Sequence, residues 1–285
     1  MGPRRIHSVN PNSQKEPVMS TIEQRPTFPP AILLALFVAL LASGPLVAEE
    51  GGTAQGHPAG STEARFDHFD RSDLTLAAAK VSHLESLDLL VFEQRLEGVP
   101  GRTTPTPRGQ LDGAPVLAYV FPTNLASTDV GFGATEGVVA LAVTIHPDFD
   151  DTPLWDENGD RDYGNDGAVV HPHWVVLVED GRVAGGLSVR PLAEGSDPAR
   201  VLPPTNPGMP MYMDSPGFSV VLTGDTLKVL VPASRIAGRT EFRFDGVTAY
   251  LRVATSGDGP MLGVYEVYHV LSGDLSLPFT VERRP

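Results

Sequence analysis

The feature that most limits the fold is the rhythm of turns. From residue 66 onward, short β-branched and apolar runs follow one another, separated by Gly, Pro, Asp and Asn. Strands are expected near Leu74–Val81, Leu89–Leu96, Val116–Phe121, Val138–Ile145, Trp174–Val178, Val183–Val189, Phe218–Leu222, Leu227–Val231, Glu241–Phe244, Val247–Val253 and Leu262–Val270. Asp180-Gly181 and Gly224-Asp225 have the length and composition of two-residue hairpin turns. No window carries a helical stripe, and the PASRIA segment at 232–237 provides one turn at most. Without helices to cover a parallel sheet, the chain must bury strands against strands. The expected fold is all-β, an antiparallel β-sandwich of the immunoglobulin or jelly-roll kind, in one domain over residues 66–285. No fixed-period repeat points to a propeller.

The front of the chain reads differently. Residues 31–42, AILLALFVALLA, are the one long apolar run, too short to span a bilayer comfortably but suited to a signal-peptide core. Leu46-Val47-Ala48 ends on a small residue as a cleavage site does, and Met19 offers a start that gives a shorter leader. We therefore expect a signal peptide over 1–48, a Gly/Ala/His/Pro-rich tether over 49–65, and a periplasmic or secreted mature protein without a membrane span.

Charge and cysteine content narrow the partners. The chain has 21 basic and 35 acidic residues, a formal charge of -14. Removal of residues 1–48 takes away four basic and two acidic side chains, leaving Lys80 and Lys228 as the only lysines. Such a surface repels nucleic acid and anionic lipid and suits a metal ion or another small ligand. The absence of cysteine rules out disulfides, thiolate metal sites and a cysteine nucleophile.

Three constellations carry candidate chemistry. His171-Pro172-His173 leads into the strand WVVLV, and residues two apart in an extended chain point the same way. Both imidazoles can therefore reach one zinc or copper ion, with His146 or His269 as the third ligand and Asp148 or Asp150 nearby. Between His146 and His171 lies an acidic stretch in which Asp156, Asn158, Asp160 and Asp162 alternate as oxygen ligands do in calcium loops. It departs from the EF-hand pattern, because Arg161 replaces the turn glycine and Gly167 the bidentate glutamate. Met209, Met211 and Met213 also alternate, so three soft thioethers can face one side. Thioethers suit copper, and a Met–His pair can hold haem iron axially.

Two resemblances add to this reading. The segments DLTLAAAKV, LLVFEQRLEGVPG and TLKVLVPASRIAGRTEFRFDGVTAYLRV resemble the strand grammar of DOMON domains and family-9 carbohydrate-binding modules. The likeness implies an exported β-sandwich that binds b-type haem or sugar, and it transfers no site residue. Trp155, Trp174, Tyr212 and Tyr250 would be the aromatics for a sugar platform. Gly164, His171, His173, Glu179 and Gly186 follow the order of the first cupin motif, with two gaps one residue too long, which implies a metal-dependent enzyme as a further alternative. No G-x-S-x-G elbow, P-loop or H-E-x-x-H is present. The leading expectation is a non-catalytic, exported metal-binding protein.

Overall fold

The computed structural model describes residues 66–106, 111–147 and 168–285. The expected signal peptide, the tether and the acidic stretch with Asp148, Asp150, Asp156, Asn158, Asp160 and Asp162 lie outside the described residues.

In chain order the strands are β1 (Phe66–His68), β2 (Leu76–Leu84), β3 (Leu89–Leu96), β4 (Thr104–Pro105), β5 (Pro115–Pro122), β6 (Val138–Pro147), β7 (Ala168–Glu179) and β8 (Leu187–Val189). After a single helical turn, α1 (Pro198–Val201), come β9 (Met213–Asp214), β10 (Ser219–Thr223), β11 (Thr226–Pro232), β12 (Arg243–Phe244), β13 (Val247–Val253), β14 (Leu262–Val270), β15 (Phe279–Thr280) and β16 (Glu282–Arg284). The all-β class expected from the turn rhythm is the class the chain adopts.

The larger sheet closes on itself. Its order is β6-β5-β13-β14-β8-β7, and β7 pairs back onto β6 through ten register pairs, from Val138↔Leu177 to Pro147↔Ala168. The result is a six-stranded barrel, with β9 added to β7 at Trp174 and Val175. A five-stranded sheet, β10-β11-β3-β2-β16, packs on its wall, antiparallel except for the parallel pairing of β16 with β2.

The two faces of each barrel strand explain the residue sizes. A six-stranded ring is narrower than the eight-stranded barrel whose interior side chains just fill, so its interior takes small residues. Ala118, Val120, Ala140, Ala142, Val175, Ala249 and Val264 belong to this inner cluster. Their neighbours in the strands, Leu117, Tyr119, Phe121, Leu141, Val143 and Ile145, turn outward into a second core shared with Leu90, Phe92, Val229 and Val231 of the other sheet. Phe92 meets Phe121 and Trp174 edge-on, at ring separations of 5.3 and 6.2 Å. Each such fully buried side chain contributes about 1.5–3 kcal/mol of transfer free energy. Buried on both faces from Pro115 to Pro122, β5 reads as an unbroken apolar run rather than an alternation.

Of the two expected hairpin turns, the structure keeps one and lengthens the other. Gly224-Asp225 is a two-residue turn, with Thr223 paired to Thr226. The β7–β8 connection is longer than the expected Asp180-Gly181 pair and runs to Gly186, so β8 starts at Leu187 rather than Val183. Arg182 folds back onto Asp180, its Nε donating to Oδ1 at 2.8 Å, and Gly185 N–H donates to Val264 O at 2.9 Å. These bonds use Val183–Gly186 as a turn and remove them from the ladder. In the other direction, β7 begins six residues earlier than the expected Trp174. Pro172 sits inside it without breaking it, because the second edge of β7 is engaged only from Trp174 onward among the described residues. A residue with no N–H to give is tolerated at such an edge.

Candidate metal centre

The closing seam of the barrel assembles three histidines. In β6 the interior-facing series Ala140, Ala142, Thr144 ends on His146, and in β7 the series running back from Val175 contains His173 and His171. Register pairs Ala142 with His173 and Thr144 with His171, so His146 lies one pleat beyond His171 on the same face. One ring nitrogen from each of His146, His171 and His173 lies within 4.8 Å of the other two. The residues are 3%, 2% and 2% exposed. Ring centroids are 4.7 Å apart for His146 and His171 and 4.5 Å for His171 and His173.

Hydrogen bonds orient the rings. His146 Nδ1 lies 2.9 Å from Pro147 O, and a carbonyl can only accept, so that nitrogen carries the proton and Nε2 presents a lone pair. His173 Nδ1 lies 3.3 Å from Asp214 O, a contact that calls for the same tautomer, and 3.0 Å from Ser215 Oγ, a hydroxyl that can accept from it or donate to it. Donation of the remote ring N–H to a backbone carbonyl is how metal-ligating histidines are held and made more basic. His171 differs. Its Nε2 approaches His146 Nε2 to 2.6 Å, while its buried Nδ1 has no hydrogen-bond partner among the described residues. Without a cation, His171 Nε2–H donates to His146 Nε2 and Nδ1 stays an unpaired acceptor. A buried polar atom in that state costs about 1–3 kcal/mol.

Burial sets the protonation. It holds His171 well below the ordinary imidazole value, with the neighbouring His173 and His146 adding to the effect. It brings His173 down to about 3, with His146 as the next contribution. Both rings are neutral at physiological pH, the state in which imidazole binds a metal.

The other expected ligands distribute unevenly. His269 does not join the cluster: it is half-buried in β14, and its Nδ1 accepts the Leu76 N–H at 3.0 Å. Met211 and Met213 are buried in the inner cluster and Met209 packs against it, but the N–H groups of Met211 and Met213 donate to the carbonyls of Met209 and Met211 at 2.8 and 2.9 Å, so the segment turns instead of running extended. Glu179, the acidic member of the cupin-like pattern, is exposed at the far end of β7, six residues from His173 and about 20 Å away along a strand. Trp174, Tyr212 and Tyr250 are core residues at 1%, 8% and 7% exposure, and none offers a face for sugar. Trp155 lies outside the described residues.

Sequence reasoning missed the roles of Asp214 and Ser215. A backbone carbonyl leaves no mark in a sequence, and only the β7–β9 register brings residue 214 to His173. A second acidic group, His68, Asp70 and Asp73, also draws together. Its centre is already taken by a cation, since Arg102 Nη2 donates to Asp70 Oδ2 at 2.8 Å and to Asp73 Oδ1 at 2.7 Å. No membrane-crossing helix occurs among the described residues. No family model, curated protein or solved structure matches this chain, so the functional assignment rests on the geometry of the three histidines.

Proposed function

We propose that this protein is an exported, acidic binding protein that holds one transition-metal ion, copper or zinc, through His146, His171 and His173, without catalysing a reaction. The observation that carries the reading is the convergence of three buried imidazole nitrogens within 4.8 Å on one interior face. Two further features support it: Nδ1 of His146 and of His173 lies within hydrogen-bond distance of a backbone carbonyl, and all three rings are buried. In the sandwich picture, the barrel wall and the five-stranded sheet serve as the two leaves, and the metal lies inside the thicker leaf.

Burial of the rings favours holding an ion over presenting it to a substrate. The cupin-type enzyme reading lacks its acidic partner in the cluster, because Glu179 is remote and exposed. The DOMON-type reading needs a flat slot for a macrocycle, whereas small side chains at 0–7% exposure fill the barrel interior. Calcium binding by the Asp156–Asp162 stretch is an independent proposal, resting on ligand spacing alone.

Elemental analysis of the purified protein tests the assignment. Near-stoichiometric copper or zinc is expected in the wild type and in a His269→Ala variant, and none in a His171→Ala/His173→Ala double variant. Equal metal in the double variant, or none in the wild type even after titration, would overturn the three-histidine site. Calcium that persists in the double variant would belong to the acidic stretch instead.

A further inference from the structure

The five-stranded sheet has a second face, directed away from the barrel, and both lysines that follow residue 48 stand on it. Register aligns Lys228 of β11, Glu93 of β3 and Lys80 of β2 in one row across three strands. The alternate residues Val229, Phe92 and Val81 are buried in the core shared with the barrel, so this row points outward. In the next two rows Val91 pairs with Ser82, and Arg284 of β16 with Leu84, on the same outer face. Together these side chains line a depression of about 230 Å³. Val91, Ser82 and Leu84 form its floor, and the long charged side chains of Lys80, Lys228, Arg284 and Glu93 rise around it.

Three cations around one small depression stand out in a chain of 35 acidic and 21 basic residues. Lys80 and Lys228 sit on strands about 10 Å apart, with β3 between them. Glu93 holds Lys228 at 3.0 Å, while Glu282 holds Lys80 at 2.9 Å and Arg284 at 3.6 Å. Three cations against two carboxylates leave one positive charge in excess. Exposed pairs of this kind are weak, so a ligand can share the cations without the loss of a strong contact. The single excess charge matches a monoanion, whereas a dianion meets both glutamates at close range. Arg284 presents a planar fork that fits a carboxylate, and the two ammonium groups add charge without directional demand. Val91 and Leu84 offer apolar surface that a bare inorganic ion does not use. The volume lies below the roughly 300–1,000 Å³ of sites for drug-sized molecules, which limits the ligand to a short body.

We propose that this depression binds a small organic monoanion, a carboxylate carried on a short apolar body. The carboxylate lies between Lys80, Lys228 and Arg284, and the apolar body rests on Val91 and Leu84. The site is separate from the three histidines, which lie on the interior face of the barrel, so it stands or falls independently of the metal reading.

The test titrates the isotope-labelled full chain with benzoate and follows backbone amide shifts by NMR. Benzyl alcohol, a neutral molecule of similar shape, and inorganic phosphate serve as comparison probes. The expected result is saturable benzoate shifts centred on the amides of Ser82, Leu84 and Val91, with at least tenfold weaker binding of either comparison probe. A Lys80→Gln/Lys228→Gln variant should bind benzoate at least tenfold more weakly than wild type. Its urea midpoint should be unchanged, because both side chains lie on the outer face. Arg284→Gln, at the edge of the sheet, should weaken binding severalfold and provides a second variant. The His171→Ala/His173→Ala variant should bind benzoate as wild type does. Absence of saturable shifts at these amides, or unchanged benzoate affinity in the double lysine variant, would overturn the proposal. Equal affinity for benzyl alcohol would remove the role of charge, and equal affinity for phosphate the role of the apolar floor; either result overturns it too. Loss of benzoate binding in the histidine variant would place the anion at the metal centre instead and overturn the separate site.

Discussion

Acidification should unfold the metal-free protein at pH values where few other groups respond, and the size of the effect follows from the burial of two imidazoles. An unfolded histidine takes up a proton near pH 6.5, but His173 in the fold resists protonation down to about 3. The sign follows: the folded state binds fewer protons, so this stability is complete above pH 6.5 and is lost as the pH falls below it. Between pH 7 and pH 5 the loss from His173 is about 2 kcal/mol, approaching about 1.4 kcal/mol per pH unit. His171 is shifted in the same direction and adds to it. Buried Asp214 and Asp245 act oppositely, since burial raises their pKa and their folded carboxyls hold protons longer than unfolded ones. Urea unfolding with a chelator present, at pH 7, 6 and 5, reads the net slope. A His173→Gln variant, which keeps a donor for the Asp214 carbonyl, isolates the contribution. The wild type should lose about 2 kcal/mol more than the variant over this interval. Parallel pH profiles for the two proteins would refute a neutral, desolvated imidazole at position 173.

The remaining predictions concern the metal and the frame around it. Metal at one hundred times its dissociation constant should stabilise the wild type by about 2.7 kcal/mol, and a His146→Ala/His171→Ala variant not at all, as thermal melts at matched metal concentration would show. Gly137→Ala should be severely destabilising, because φ is +134° and an added Cβ would lie 2.5 Å from Val176 Cγ1 and 2.6 Å from Leu177 O at the closing seam. A cost of about 3 kcal/mol or more in chemical denaturation is expected there. Trp174→Ala should cost about 3–5 kcal/mol by the same assay, since the side chain is 1% exposed at the junction of barrel and sheet. Charge removal at the exposed Arg71–Glu266 pair should change stability by less than about 1 kcal/mol.

Much of the frame is legible in the sequence wherever turn residues bracket a run of strand formers. The spans expected for Leu89–Leu96, Val247–Val253 and Leu262–Val270 are those the chain adopts. The same-face orientation of His171 and His173 follows from spacing alone. Closure was not legible, because a strand pattern states which face is buried but not which partner lies alongside. For the same reason the sequence offered both His146 and His269 as third ligand, and only the β6–β7 register shows that His146 is the one brought beside His171 and His173. The sequence reading starts this strand at Trp174, directly after HPH. Among the described residues the first half of this long strand is paired on one side only, and a missing N–H costs nothing on the other.

The pairing of β16 with β2 has a consequence for how the molecule comes into being. Glu282 lies beside Ser82, a separation of about two hundred residues, and the strand it completes stands at the edge of the sheet that covers the barrel. The covering sheet therefore cannot be finished until nearly the whole of this sequence has been synthesised. Phe279 and Val281, which precede and border this last strand and pack against the second core, also arrive only then, so a chaperone or translocation factor would meet a barrel whose outer core is still incomplete. For a chain proposed to cross a membrane before it folds, this order of assembly delays compaction through contacts made late in the sequence.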